Sequence, residues 1–158
     1  MKYLADKFLW GNKMKIISFE NKYRDDLIFM ILEAKNALGR VPGFNEDLLD
    51  IHKNYFDKGG MFWIAIDDND RVVGSVGLSP IENSTECYIH RLFVKYNLKH
   101  KGIGSKLLNM AEDYAKSLGK TSVLVNLGKP KEQWFESWQF YPKNDYREYE
   151  YGKMKKKL

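Results

Sequence analysis

The chain has 158 residues, which is enough for one domain with a core that can fold alone. Hydrophobic residues make up 44% of it and charged residues 30%, a composition typical of globular proteins that excludes a disordered chain. The formal net charge of +5 is modest and comes partly from a lysine-rich C-terminus, so we expect an anionic small ligand rather than nucleic acid.

Several common sequence signals are missing from the chain. No apolar run approaches the roughly 20 residues that a membrane span needs, and the N-terminus is a poor signal peptide. The single cysteine, Cys87, excludes an internal disulfide, and no Cys/His cluster has the spacing of a metal site. We therefore predict a cytoplasmic protein with no membrane, metal or nucleic-acid partner.

The first 13 residues stand apart from the rest of the chain. Met14 opens a run that predicts the first strand, to Phe19, which makes Met14 an alternative start. We expect residues 1–13 to be an N-terminal extension, a short added helix or arm that is a candidate contact in a homodimer. The main domain is then residues 14–158.

Apolar periodicity and turn residues predict the remaining elements. In chain order they are a helix over residues 22–38 that ends at Gly39, a helix capped by Asn45 that ends at Gly59, strands over residues 61–66, 72–78 and 86–94, a helix over 102–118, a strand over 122–126, a helix from Pro130 that buries Trp134, Phe135 and Trp138, and one or two edge strands over 146–154. This order indicates one α+β domain with a mixed sheet.

The stretch from Tyr88 to Leu108 combines a strand, a basic turn and the start of a helix, with Gly102 and Gly104 at the turn. The first N–H groups of a helix lack partners, its dipole adds about half a positive charge, and glycines let a bulky anion approach. The pattern predicts a phosphate or pyrophosphate site. It is not a P-loop, since GxxxxGK[ST] is absent, and not a dinucleotide fingerprint, since Leu107 occupies the third glycine position.

The strand ends in Leu92–Val94 and is followed by the sequence of Lys99–Gly104, KHKGIG. This order resembles the main motif of the GNAT superfamily of acyl-CoA-dependent N-acetyltransferases, Gln/Arg-x-x-Gly-x-Gly/Ala after a strand ending in apolar-x-Val. The resemblance extends over about residues 14–140, and it implies a single α+β domain whose mixed, mostly antiparallel sheet is flanked by helices on both faces. Lys99 departs from the motif, because Gln or Arg is usual there.

The resemblance also implies acetyl-CoA as co-substrate. The strand backbone would pair with the pantetheine arm, and the turn and helix start would hold the pyrophosphate. Asn126 either bonds the pantetheine from the other side or is only a residue that ends its strand. The residues assigned to CoA in this way are Leu92, Phe93, Val94, Lys99, His100, Lys101, Gly102, Ile103, Gly104, Ser105 and Asn126.

Acetyl transfer needs a neutral amine, and only about one lysine-like amine in a few thousand is neutral at pH 7. A positioned base is therefore useful. His90 is the first candidate, because it lies four residues before Val94 and is predicted on the same face of the strand. A histidine at the related position is implicated as base in some arylalkylamine-type GNAT members. Glu86, on that face again, is the alternative base through a water, and either side chain could instead be structural.

The general acid is harder to find. Family members commonly carry a tyrosine in a segment of the form aromatic-Tyr-x-x-x-Gly-Phe, and here Phe135 stands at the tyrosine position and Gln139 at the glycine position. Three accounts are open: the thiolate of CoA leaves unaided, Tyr141 or Tyr114 supplies the proton, or the protein binds acyl-CoA without efficient catalysis.

We therefore predict an N-acetyltransferase that moves an acetyl group to a primary amine by direct attack in a ternary complex. The alternative is a catalytically weak or inactive acyl-CoA-binding regulatory module. The acceptor is a small-molecule or peptide amine that the sequence does not identify. We expect its pocket to be formed by the first two helices, the loop from Arg40 to Phe44, Phe29, Trp63 and the C-terminal strands.

Overall fold

The structure, a computed structural model, describes residues 8–10, 14–39 and 41–158. Within them it has eight strands and four α-helices. In chain order these are β1 (Phe8–Trp10), β2 (Met14–Ser18), α1 (Arg24–Asn36), α2 (Ile51–Asn54), β3 (Met61–Asp67), β4 (Val72–Pro80), β5 (Glu86–Val94), α3 (Ile103–Ser117), β6 (Ser122–Asn126), α4 (Phe135–Lys143), β7 (Arg147–Glu150) and β8 (Lys153–Lys157).

All eight strands form one sheet in the order β1-β2-β3-β4-β5-β6-β8-β7. Neighbouring strands are antiparallel except β5 and β6, which are parallel and therefore need a crossover, supplied by α3. The sheet is mixed and mostly antiparallel, so the predicted fold class is confirmed.

The helices cover both faces of the sheet, as the fold prediction requires. On one face α1 and α2 bury Leu27, Ile31 and Ile51 against Phe62, Ile64 and other apolar side chains of the sheet. On the other face the apolar stripe of α3 packs with α4, burying Leu107 and Trp138. Because apolar side chains alternate along the central strands, each face receives its own core.

The region before Met14 differs in part from the prediction. Residues Phe8–Trp10 form β1, which pairs antiparallel with β2, so this part of the extension is an edge strand and not a helix. Residues 1–7 and 11–13 lie outside the described residues. The division at residue 13 and the dimer contact stay predictions.

The predicted second helix is broken into short pieces. A 3-10 turn at Glu46–Leu49 precedes the four-residue α2, and Asp50 caps α2 by accepting a hydrogen bond from the Lys53 N–H at 3.0 Å. Asn45 does not cap a helix, because its Oδ1 accepts a hydrogen bond from Lys35 Nζ at 2.6 Å. A tertiary contact therefore takes the side chain that local capping would use.

The C-terminal region holds two further corrections. Helix α4 begins at Phe135 rather than Pro130, and Phe135 is 54% exposed at its start instead of buried. The lysine run Lys153–Lys157 is strand β8, which lies between β6 and β7, so of the two C-terminal strands β7 alone is at the edge. Across the described residues, no helix combines the length and apolar character needed to cross a membrane.

Candidate functional site

Strand β5 contains a bulge at Arg91. Its pairing with β4 shifts between Ser75 and Gly77, Arg91 has a φ of 53°, and its carbonyl accepts a hydrogen bond from Ser75 Oγ at 2.7 Å. A bulge adds one residue and so reverses the alternation of side chains beyond it. The expectation that His90 and Val94 share a face is therefore wrong, although both belong to the same strand.

As a result, His90 and Val94 of β5 contact different elements. The His90 ring packs against Tyr55, with centroids 6.2 Å apart, on the α1 and α2 face. Val94 faces α3, where its Cγ2 would lie 3.6 Å from a Cβ at Gly104. His90 and the start of α3 thus lie on opposite faces of one strand.

A cavity of about 860 Å³ opens where β5 and β6 separate. Their pairing ends at Ile89 and Val125, so beyond this point the backbone edge of β5 has no strand partner among the described residues. The predicted CoA residues that line this cavity are Leu92, Phe93, Val94, Lys99, His100, Gly102, Ile103, Gly104, Ser105 and Asn126. An open strand edge can pair with an extended ligand.

The turn before α3 forms the basic end of the cavity. His100 has a φ of 63° and Gly102 a φ of 83°, and left-handed residues of this kind aim successive N–H groups toward one point. The first hydrogen bond of the helix runs from the Lys106 N–H to Gly102 O, so the N–H groups just before Lys106 lie at the unpaired start of α3. Lys99 lines the cavity and pairs with Glu136 at 2.6 Å. Lys101 does not line the cavity.

His90 lies in the wall of the cavity at the point where the strands part. Burial, and to a lesser extent the charge of Arg91, lowers the pKa of His90, while Asp47 partly opposes this. Its ring lies between Tyr55 and Tyr88, whose centroids are 6.2 and 5.8 Å away. A lowered pKa keeps the imidazole neutral at pH 7, and a neutral imidazole can accept a proton.

Beside His90 lies a charged network that the sequence patterns did not predict. Arg91 donates to Asp47 through Nε and Nη2 at 2.9–3.2 Å, and the Tyr55 hydroxyl donates to Asp47 Oδ2 at 2.5 Å. Residues 47, 55 and 91 share no local spacing, so no sequence pattern could have joined them. The network fixes the bulge residue and, through Tyr55, one side of the His90 ring.

Replacing Asp47 with asparagine is expected to lower the free energy of unfolding by about 2 kcal/mol, because the half-buried Arg91 loses its ionic partner. Burial raises the pKa of Asp47, but the hydrogen bonds from Arg91 and Tyr55 outweigh it and hold that pKa below its usual range. The difference between wild type and variant should therefore be full above about pH 4 and vanish as pH falls through the lower folded-state pKa. Urea denaturation of both proteins at a series of pH values measures this difference in the free energy of unfolding.

The control for this prediction is the exposed pair of Arg24 and Asp25. Asp25→Asn should leave the free energy of unfolding unchanged, since solvent screens such pairs. An Asp47→Asn variant as stable as wild type at pH 7 would show that the network contributes nothing to folding.

Tyr141, one of the two alternative acids that the sequence offered, has a different position from Phe135. It is buried in α4 and lines the cavity, whereas Phe135 does not. The form aromatic-Tyr-x-x-x-Gly-Phe is met by Phe140 to Tyr146, with Asp145 at the glycine position. Asp145 has a φ of 72°, the left-handed conformation that glycine favours, and Tyr146 is fully buried at the phenylalanine position. This segment lies six residues after the one, Trp134 to Phe140, with which the motif was first compared.

The chemical state of Tyr141 is set by its surroundings. Burial alone raises the pKa of the Tyr141 hydroxyl well above its usual range, with no hydrogen bond or charge contributing. The hydroxyl therefore stays protonated at neutral pH and can donate.

Other predicted residues lie elsewhere. Glu86 lies outside the cavity at the paired end of β5, where its Oε2 is 2.9 Å from Lys155 Nζ. Trp63 is fully buried in the core and Tyr114 packs on it at 5.5 Å, so neither lines the cavity. Phe29 is exposed away from the cavity, and Arg40 lies outside the described residues.

Comparisons with known proteins agree with this geometry. A family model described as acetyltransferase (GNAT) family matches residues 28–146. A GNAT-family acetyltransferase structure from Staphylococcus aureus Mu50 is 25% identical with a TM-score of 0.82, covering 92% of this chain and 99% of that one. The fold is also shared with the PaiA N-acetyltransferase of Thermoplasma acidophilum, solved in complex with coenzyme A. That structure is 20% identical with a TM-score of 0.72, covering 92% of this chain and 99% of that one.

Curated relatives match over shorter stretches. The probable N-acetyltransferase 14 of Xenopus tropicalis is 28% identical over 99 residues, which are 63% of this chain and 46% of the relative. Human N-acetyltransferase 8 is 30% identical over 87 residues, which are 52% of this chain and 38% of that relative. The chain thus spans less than half the length of these two relatives.

Proposed function

Because the chain belongs to the acetyltransferase (GNAT) family, we propose that it transfers the acetyl group of acetyl-CoA to an amine nitrogen by direct attack in a ternary complex. The observation that carries this proposal is one cavity with four parts: an open strand edge, the start of α3, His90 and Tyr141. The acceptor is a small-molecule or peptide amine, and its approach would be from the side of α1, where His90 lies.

The cavity fits acetyl-CoA, which supplies an acetyl group activated as a thioester. The unpaired edge of Leu92–Val94 would bond the pantetheine amides, and Asn126, exposed at the end of β6, would contact them from the other side. The N–H groups at the start of α3 would hold the pyrophosphate, helped by the dipole and by Lys99. No metal is required for this binding mode.

His90 is the proposed base. Its neutral imidazole would accept the proton that the ammonium of the acceptor must lose, either directly or through a water. Removing that proton at pH 7 costs a lysine-like amine roughly 4–5 kcal/mol without help. Glu86 is a poorer candidate, since it lies outside the cavity and contacts Lys155.

Tyr141 is the proposed acid. Its hydroxyl would give a proton to the departing thiolate sulfur, so that the bond from nitrogen to carbonyl carbon forms as the bond from carbon to sulfur breaks. The nitrogen loses one proton to His90 before it attacks and a second one as the amide forms, and the second proton would restore the Tyr141 hydroxyl. The products are then the amide, the free thiol of CoA and one proton, which His90 releases. With a tyrosine in the cavity, the inactive CoA-binding module loses the observation that favoured it.

Replacing Tyr141 with phenylalanine is expected to lower kcat by roughly 10- to 100-fold, near the low end for general acid catalysis because a thiolate is a fairly good leaving group. The Tyr141 hydroxyl has no hydrogen-bond partner among the described residues, so its removal should not lower the melting temperature. Release of free thiol from acetyl-CoA, followed with a thiol reagent across a panel of amines, measures the rate.

The matched comparison is Tyr114→Phe. Tyr114 lies outside the cavity and should be dispensable for turnover. A loss of kcat in Tyr114→Phe with none in Tyr141→Phe would reverse the assignment. A wild-type protein that binds acetyl-CoA but releases no thiol with any amine would instead support the non-catalytic alternative.

A further inference from the structure

Helices cover only part of the sheet face on which His90 lies. Among the described residues, the apolar core beneath α1 and α2 contains side chains of β2, β3, β4 and β5 and none of β6, β7 or β8. All four residues of β7 are exposed, and so is Asn126 at the end of β6. An open strip of sheet therefore begins beside His90 and runs across β6 and β8 to β7.

The register of the strands shows which side chains lie on this strip, because residues opposite each other in a sheet point to the same face. Tyr88 of β5 lies beside His90, with ring centroids 5.8 Å apart, and is opposite Leu124 of β6. Leu124 is opposite Lys155 of β8, which is opposite Arg147 of β7. The same pairings place six charged residues on what we call the basic strip: Glu86, Arg147, Glu150, Lys153, Lys155 and Lys157.

Positive charge predominates on the basic strip, whose six charged residues are four cations and two carboxylates. Each carboxylate is held by one lysine, at 2.9 and 3.0 Å. Arg147 and Lys157 are exposed and have no ionic partner among the side chains that the structure describes. The strip therefore keeps a net charge of +2, which a ligand with negative charges can neutralise.

The basic strip is continuous with the proposed reaction centre at His90. Neighbouring strands lie about 4.8 Å apart, and residues two apart along a strand are separated by about 6.7 Å. In the plane of the sheet, Lys155 and Arg147 are therefore about 12 and about 16 Å from His90. Because an extended peptide advances about 3.3 Å per residue, its residues about four and five positions beyond the acceptor nitrogen would reach these cations.

A ligand of this surface has to bring an amine to His90 and negative charge to β8 and β7. An acidic peptide in an extended conformation brings both, and its length matches the distance between the two places. Nucleic acid has the negative charge but no aliphatic amine nitrogen to receive an acetyl group. The combination of charge and position therefore favours an acidic peptide.

We propose that the acceptor is a peptide or protein whose amine is followed by acidic residues, and that Arg147 and Lys155 bind the carboxylates of those residues. The proposal rests on the proposed acetyltransferase function and adds the substrate class. It disfavours acceptors with a second positive charge, such as polyamines, because that charge would meet the cations of the basic strip.

The test compares peptides that differ only in two side chains. Twelve-residue peptides of serine and glycine, amidated at the C-terminus, carry two aspartates at positions 5 and 6, two asparagines there, or two aspartates at positions 11 and 12. The acceptor is the N-terminal amine or, in a second set with an acetylated N-terminus, a lysine at position 1. In wild type, kcat/KM per neutral amine should be about 3- to 20-fold higher for aspartate than for asparagine at positions 5 and 6. Added salt should reduce this preference.

Two double variants locate the preference on the protein. Arg147→Gln/Lys155→Gln should lower kcat/KM for the acidic peptide to that for the asparagine peptide, and its Tm reports whether it is folded. The matched control is Lys58→Gln/Lys116→Gln, which removes the same net charge from two exposed lysines outside the basic strip and should keep the preference.

A binding measurement decides the proposal without turnover. The acetylated forms of the same peptides, labelled at the C-terminus, are titrated with the protein in the presence of CoA and followed by fluorescence anisotropy. Tighter binding of the peptide with aspartates at positions 5 and 6, lost in Arg147→Gln/Lys155→Gln, supports the proposal. If this binding is found but no amine releases thiol from acetyl-CoA, the proposed function fails while the basic strip remains a surface for acidic peptides.

Three results would overturn the proposal. The first is equal values for aspartate and asparagine, or a preference that Arg147→Gln/Lys155→Gln leaves intact. The second is a preference just as large with the aspartates at positions 11 and 12, which would show general attraction rather than binding at the basic strip. The third is tighter binding of a single-stranded oligonucleotide than of the acidic peptide. Thiol release without any preference for acidic peptides would leave the proposed function standing and this inference refuted.

Discussion

Replacing His90 with alanine is expected to lower kcat/KM at pH 7 by about 10²- to 10⁴-fold, the usual contribution of a positioned base. The affinity for acetyl-CoA should stay within a few-fold, because the strand edge and the start of α3 are untouched. Thiol release measures the rate and calorimetry the affinity. A variant with undiminished kcat/KM would show that His90 only lines the cavity.

The pH dependence separates a base from a packing residue. The lowered pKa of His90, caused first by burial and then by Arg91, means that wild-type kcat should decline only when pH falls below the usual histidine range. His90→Ala should lose this limb, and its rate should rise with pH as the amine deprotonates in water. The control is His52→Ala, since His52 stacks on Phe56 outside the cavity.

Replacing Gly104 with glutamate is expected to weaken acetyl-CoA binding by at least about 100-fold. A carboxylate near a phosphate in this setting costs roughly 3 kcal/mol at a separation of about 5 Å. Folding should not suffer, because a negative charge in the first turn of α3 is favourable for the helix. Loss of binding with an unchanged Tm would therefore locate the phosphates at this turn.

Two variants make the Gly104 experiment specific. A Cβ at Gly104 meets the Phe140 ring at 3.4 Å and Val94 Cγ2 at 3.6 Å, so Gly104→Ala is nearly accommodated and should bind almost normally. Gly104→Gln adds the bulk of glutamate without its charge and should lose less affinity than Gly104→Glu. Unchanged acetyl-CoA affinity in Gly104→Glu would refute the assignment of this turn.

The local pattern of the chain was sufficient to predict the fold and the unpaired start of α3, where we propose that the pyrophosphate binds. The apolar stripe of α3 and the alternation along β3 and β4 are local periodicities, and they predict an element wherever it lies in the fold. The unpaired N–H groups at Gly102–Ser105 result from the start of the helix itself. These properties depend on residues that are close together in the sequence, so the sequence pattern is enough to predict them.

The surroundings of His90 depend on contacts between distant parts of the chain. The face of the sheet on which His90 lies relative to Val94 depends on the bulge at Arg91. At this bulge the register between β5 and β4 shifts by one residue, and the Ser75 hydroxyl donates a hydrogen bond to the Arg91 carbonyl. Helix α4 begins at Phe135, later than the local pattern predicted, and which of its side chains line the cavity depends on how it packs, so that Tyr141 lines the cavity and Phe135 does not.

The sequence by itself therefore determined the family resemblance, the fold class and the predicted cofactor. The tertiary structure alone decided which side chains meet in the cavity. His90, Asn126 and Tyr141 are far apart in the chain, and nothing in their spacing brings them to one cavity. The periodicity of apolar residues shows which face of a segment packs against the core. A catalytic or binding site depends instead on the register between neighbouring strands and on the position of the loops around the site.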